Sequence, residues 1–148
     1  MRIATIVCSF LFPLFVAGCT AKQPTTGDEG LQSLVDATAK ANPDVVRLTV
    51  HKANASGGGS TVAASTSAEK LGKPSDKEDL QAMETGQTVV LEEKDALDIT
   101  VPAMQKDGKW TAAIGVTLKA PAGADKEALK KRASEVASSL ETMVATKK

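Results

Sequence analysis

The sequence predicts an α+β domain: a PAS-like antiparallel sheet covered on one face by helices from the two ends of the chain, with a short helix and loops on the other. Three observations predict it. From Val45 onward, several short runs alternate apolar and polar residues, the two-residue period of half-buried strands. Leu129, Ala133, Val136, Leu140 and Met143 are spaced four, three, four and three, the seam of an amphipathic helix. Asp107-Gly108 joins two alternating runs, a strong hairpin signal because both turn positions need positive φ.

Each element follows from local chemistry. Residues 31–42 read as a helix, with Leu31, Leu34, Val35 and Thr38 on one face. Asn42-Pro43 ends it, since the residue before proline avoids the helical region. Residues 45–52 read as a strand, with Val46, Leu48 and Val50 on one side and Arg47, Thr49 and His51 on the other. A glycine-rich turn over residues 53–60 leads to a second strand at 61–66. Ser75 and Glu78 have capping-box spacing, Leu80 and Met83 follow as a small apolar face, and Gly86 is the expected helix stop. A strand over 88–93 follows. The hairpin pairs Leu97, Ile99, Val101 and Ala103 with Trp110, Ala112, Ile114, Val116 and Leu118 as the apolar positions, and Trp110 is expected to pack under a terminal helix. Asp125 caps the last helix, whose seam is read as lying on the sheet.

The first nineteen residues point to an address. Arg2 precedes an apolar run, too short to span a bilayer, that closes on Val16-Ala17-Gly18-Cys19. This stretch resembles a bacterial lipoprotein signal. The resemblance implies cleavage before Cys19 and lipid on its thiol and new amino group, an anchor of several acyl chains. Residues 1–18 would be the signal peptide, 19–30 a Gly-, Pro- and Thr-rich flexible tether, and 31–148 the domain. The implied location is the cell envelope, facing the periplasm or exterior. With Thr20 after the cysteine, the outer membrane is favoured if the host is Gram-negative.

Composition removes several function classes. Lys plus Arg number 18 and Asp plus Glu number 18, with no basic patch, which argues against nucleic acid. Phe10, Phe12 and Phe15 lie in the signal and there is no Tyr, so Trp110 is the domain's one aromatic side chain apart from His51. That disfavours aromatic cages and base-stacking platforms. Cys8 leaves with the signal, and Cys19 is the remaining cysteine, so no disulfide or thiolate metal site is expected. A single histidine, His51, cannot build the familiar zinc sites, and no nucleophile elbow or P-loop accompanies it. Asp95, Asp98 and Glu92-Glu93 lack the closely spaced loop of a calcium-binding EF-hand. No enzyme activity, cofactor or metal is expected.

A second resemblance covers residues 61–118. The pattern includes Glu69-Lys70-Leu71-Gly72-Lys73-Pro74, Glu78 through Ala82, Thr85-Gly86, Val101-Pro102 and Asp107-Gly108-Lys109. It is similar to the PDC or single-Cache extracytoplasmic sensor domains of citrate and fumarate sensor kinases. That resemblance implies a pocket between the uncovered sheet face and the short helix and loops. It also marks two departures. Where those sensors carry a carboxylate-binding His, this chain has Ser65, and where they carry an Arg, it has Asp98. Exchanging a cation for a carboxylate reverses the local field. The expected pocket face holds Thr49, His51, Ala63, Ser65, Asp98, Thr100, Ala113 and Gly115, with Lys70 nearby. Of these, Ser65, Asp98, Thr100, His51, Lys70 and Gly115 are the expected ligand contacts, suited to a small polar or cationic solute.

Two function classes remain open on the sequence. One is a lipid-anchored, sensor-like binding module acting through a membrane receptor or transporter. The other is an envelope interaction lipoprotein that uses a PAS-like fold for homodimerisation or docking without a ligand.

Overall fold

The computed structural model describes residues 28–146. The elements run α1 (Glu29–Ala41), β1 (Val45–Ala53), β2 (Ser60–Ser65), α2 (Lys77–Thr85), β3 (Val89–Glu93), β4 (Ala96–Lys106), β5 (Lys109–Lys119) and α3 (Lys126–Thr146), with a 3-10 turn at Ala68–Lys70 between β2 and α2. The strands form one antiparallel sheet in the order β2-β1-β5-β4-β3. The α+β architecture is the one the alternation predicts.

Local signals set the boundaries. Asp28 Oδ1 accepts the Leu31 N–H at 3.2 Å and starts α1 two residues ahead of the expected position. Asp107 and Gly108 both take positive φ, 52° and 75°, as a tight hairpin turn requires. Asp125 Oδ1 accepts the N–H groups of Glu127 and Ala128 at 3.0 and 3.1 Å and starts α3.

The terminal helices α1 and α3 share one sheet face and pack on each other. Leu48, Val50, Ile99, Ile114, Val116 and Leu118 point into this layer, against Leu31 and Val35 of α1 and Ala133, Val136 and Leu140 of α3. All are buried, and each Leu, Val or Ile among them contributes about 1.5–3 kcal/mol of transfer free energy. Arg132 clamps α3 to the α1–β1 connection. Its Nε and Nη2 donate to Asp44 at 2.9 and 3.0 Å, and Nη2 also donates to Asn42 Oδ1 at 2.7 Å.

The opposite face is crossed by α2, which carries the chain from the β2 edge of the sheet to the β3 edge. Before α2, the segment 72–75 closes the outer edge of β2. The Val62 N–H donates to Lys73 O at 2.9 Å, and the Ser75 N–H donates to Ser60 O at 3.0 Å.

Four expectations are corrected here. Val46 is 53% exposed, because a bulge between Val45 and Arg47 turns it off the apolar face. A second bulge between β1 and β2 makes Ala63 the extra residue. Ala63 therefore packs towards the apolar core, and Val62 takes the place opposite His51. The capping box is Asp76 and Asp79 rather than Ser75 and Glu78. The Asp79 carboxylate accepts the Asp76 N–H at 2.9 Å, which frees Ser75 to bond elsewhere. Trp110 packs at the C-terminal end of α2, where a Cβ on Gly86 would come within 2.5 Å of the indole Nε1, and not under a terminal helix. Gly86 itself is the expected stop, with φ of 68°.

Candidate functional site

Antiparallel pairing lays the polar face out in rows. One row runs Ser65, Thr49, Gly115, Thr100 and Val89 across the five strands. A second runs Val62, His51, Ala113 and Pro102. A third runs Arg47, Thr117, Asp98 and Leu91. Gly115 is the one position of the first row without a side chain. The resulting gap leaves a cavity of about 20 Å³, lined by Arg47, Thr49, His51, Lys70, Asp76, Glu78, Asp79, Asp98 and Gly115. That is room for one water-sized group.

Two polar networks border the cavity. In the first, His51 Nδ1 lies 2.9 Å from Ser75 Oγ and 3.2 Å from Asp79 Oδ2. Ser60 Oγ bonds Ser75 Oγ, and Thr100 Oγ1 donates to Asp79 Oδ1 at 3.3 Å. His51 and Asp79 are 5% and 4% exposed, so this network is inside the protein. In the second, Arg47 Nη2 donates to Asp98 Oδ2 at 2.9 Å, and Thr117 Oγ1 donates to Asp98 Oδ1 at 2.9 Å. Arg47 also reaches Glu93 at 3.4 Å.

Burial sets the charges. It disfavours imidazolium at His51, with Lys70 adding to the effect, and the pKa falls from 6.5 to about 4. It disfavours carboxylate at Asp79, where the Asp76 N–H bond offsets only part of the effect, and the pKa rises from 3.8 to about 6. At neutral pH the imidazole is therefore neutral and Asp79 is ionised. Their 3.2 Å contact is then one between a neutral ring and a carboxylate, not an ion pair, and the hydrogen-bond partner of Nδ1 is Ser75 Oγ. Burial works against the charge on Arg47, but Asp98 and Glu93 more than offset it and raise its pKa.

The ring geometry bears on catalysis too. Ser75 and Asp79 share the same ring nitrogen, so no relay runs from carboxylate through the ring to the serine.

The structure brings most of the expected contacts together. His51, Asp98, Lys70 and Gly115 line the cavity, and Thr100 joins through Asp79. Ser65 is 2% exposed and bonds Thr49 Oγ1 at 3.0 Å and the Ser67 N–H at 3.1 Å, one strand away from the hollow. Asp98 meets Arg47 from two strands away, so the field of its carboxylate is largely neutralised within the protein. Asp79, Ser75 and Arg47, with Asp76 and Glu78 of the lining, are the residues that sequence reasoning did not place in the site. The Asp76-x-x-Asp79 spacing carried the signal for Asp79, and the alternation that sets Arg47 beside Thr49 and His51 carried it for Arg47. Cys19, the lipoprotein signal and residues 20–27 of the tether lie outside the described residues. Among the described residues, no helix is long and apolar enough to cross a membrane.

No family model matches the chain, and no curated protein sequence matches it. Solved structures do. The GAF domain of the phosphoenolpyruvate-protein phosphotransferase from Acinetobacter is 17% identical with a TM-score of 0.55, over 84% of this chain and 85% of that one. The second GAF domain of DevS from Mycobacterium smegmatis is 11% identical with a TM-score of 0.51, over 82% of this chain and 98% of that one. The GAF domain region of a protein described as a membrane protein from Geobacter sulfurreducens PCA is 10% identical with a TM-score of 0.51, over 76% and 91%. The fold is thus GAF-like. The resemblance to PDC or single-Cache domains is corrected by these matches. Its quoted pieces are a 3-10 turn, part of α2 and its stop, a dipeptide within β4 and a hairpin turn, none of which encodes strand order.

Proposed function

We propose that this chain is a sensor-like module that binds a small polar or cationic molecule on the sheet face beneath α2. One observation carries the reading: that face buries a polar cluster, Thr49, His51, Thr100 and Asp79, around the gap at Gly115. A cover that served stability alone would be apolar, as it is under α1 and α3, because each buried polar group must find a partner or cost about 1–3 kcal/mol. Here α2 inserts Asp79 and Ala82, and the sheet answers with His51, Thr100 and Thr49. The GAF-like fold of its structural neighbours is compatible with this role and does not name a ligand. The first nineteen residues support lipid anchorage in the cell envelope through Cys19. A receptor or transporter in the membrane would then relay the bound state.

The small volume of the cavity favours a second reading, in which the polar face is a closed network and the domain acts by docking or homodimerisation. Thermal melting of residues 20–148 against amines, amino acids and carboxylates separates the two. A ligand at a hundredfold over its Kd adds about 2.7 kcal/mol to the native state. The binding reading expects at least one class to raise the melting temperature saturably. A flat response with a concentration-dependent dimer would establish the second reading instead.

A further inference from the structure

We propose that the hollow over Gly115 takes the ammonium head of a small amine, which donates hydrogen bonds to His51 Nε2 and the surrounding carboxylates. The proposal deepens the binding reading above and rests on it.

The argument starts from the tautomer. Asp79 Oδ2 sits 3.2 Å from His51 Nδ1 and already accepts the Asp76 N–H. An ionised carboxylate that close favours the single ring proton on Nδ1, where Ser75 Oγ, 2.9 Å away, accepts it. Nε2 is then an acceptor. It lies on the cavity side, 3.7 Å from where a Gly115 Cβ would stand, and has no hydrogen-bond partner among the described residues. His51 is 95% buried, so this acceptor faces the hollow and little else.

Size and charge narrow the ligand further. The hollow, about 20 Å³, fits one heavy atom with its hydrogens. Its lining holds the carboxylates of Asp76, Glu78, Asp79 and Asp98 against the cations of Arg47 and Lys70. The Arg47 donors are directed at Asp98 and Glu93, and Lys70 faces Asp76 at 3.9 Å. What remains is an excess of acceptors around a neutral ring with an exposed lone pair. A carboxylate in that position would meet lone pairs with lone pairs. An ammonium group supplies the missing donors and the missing positive charge, and it is close to water in size.

Gly115→Ala tests this without disturbing the backbone. A methyl group there makes only ordinary contacts, 3.7 Å to His51 Nε2 and 3.9 Å to Thr49 Cβ, and fills the space. The full chain in detergent micelles is melted at neutral pH in ammonium, methylammonium and tetramethylammonium chlorides, with sodium chloride as the ionic-strength control and sodium acetate and succinate as anion arms. We expect ammonium and methylammonium to raise the melting temperature saturably, by roughly 10 °C at a hundredfold over Kd. Tetramethylammonium, which has no N–H, should match sodium. Gly115→Ala should keep its fold and lose the shift, and Glu78→Gln should weaken it. An amine shift that survives in Gly115→Ala, or one that tetramethylammonium reproduces, overturns the proposed hollow. A response to acetate or succinate alone overturns the ligand class and leaves the binding module standing. No response to any arm in a folded chain overturns the ammonium site, and a flat response to the wider panel above overturns the binding reading with it.

Discussion

Under α1 and α3 the sheet presents Leu48, Val50, Ile99, Ile114, Val116 and Leu118, and under α2 the same strands present Arg47, Thr49, His51, Asp98, Thr100 and Thr117. The two faces share one backbone but hold their covers differently. The first relies on area removed from water, which is non-directional and insensitive to pH. The second relies on partners: His51 with Ser75 and Asp79, Asp79 with Thr100, Arg47 with Asp98. Losing one partner there strands another, so its cost is set by chemistry and protonation rather than by volume. The apolar face holds its cover by volume, and the polar face holds its cover by paired groups.

The largest effect expected is on the apolar side. Leu140→Ala removes a fully buried α3 side chain and should cost about 2–5 kcal/mol in urea unfolding, with the same loss at every pH tested. A loss of less than 1 kcal/mol would place the stability elsewhere.

The polar side should answer to pH. The folded pKa of Asp79, about 6, lies above its ordinary 3.8, so its contribution is full at low pH and is lost as pH rises through 6. The folded pKa of His51, about 4, lies below its ordinary 6.5, so its contribution is full above 6.5 and is lost as pH falls through 4. The two slopes oppose each other between about pH 4 and 6, because folded and unfolded pairs both hold one proton there. Wild-type stability should be nearly flat across that window. Asp79→Asn should leave only the histidine slope, with stability rising by about 3 kcal/mol from pH 4 to 6.5. His51→Gln should leave the opposite slope, with stability falling as pH rises through 6. Parallel profiles for all three proteins would show that the pair does not titrate as a unit.

Two glycines sharpen the contrast at smaller scale. Gly86→Ala puts a Cβ at positive φ, 2.5 Å from the Trp110 indole. It should cost about 1–2 kcal/mol from the backbone alone and shift the emission of the only tryptophan. Gly115→Ala has neither problem and should change stability by less than about 1 kcal/mol, in the stabilising direction. A large loss at Gly115 would mean that the hollow is already filled.

The same contrast explains what was legible in the sequence. Alternation and helical seams report burial, so the apolar face was readable: Leu48, Val50, Ile99, Val116 and the seam from Ala133 to Leu140 all lie where the periods put them. The Asp107-Gly108 turn was equally plain, because its φ values restrict the residues allowed. Bulges were not readable. One extra residue near Val46 and another at Ala63 move side chains between faces without leaving a mark in composition. The site was half legible. Residues on long strands, His51, Asp98, Thr100 and Gly115, were placed on the right face. Asp79 and Ser75 were missed because their roles depend on where α2 docks and on which of two overlapping capping spacings forms. Strand order carries no local signal at all, which is why short turn motifs suggested a Cache domain where the matched structures are GAF domains.

The most direct measurement is the nitrogen NMR spectrum of His51, which as the sole histidine contributes one pair of ring resonances. The account predicts a neutral ring protonated on Nδ1 at neutral pH, with no titration until the pH approaches about 4. A ring that titrates near its ordinary 6.5, or one protonated on Nε2, would contradict it, because the imidazole would then be solvated or would accept from Ser75 Oγ at Nδ1 and offer no lone pair to the hollow.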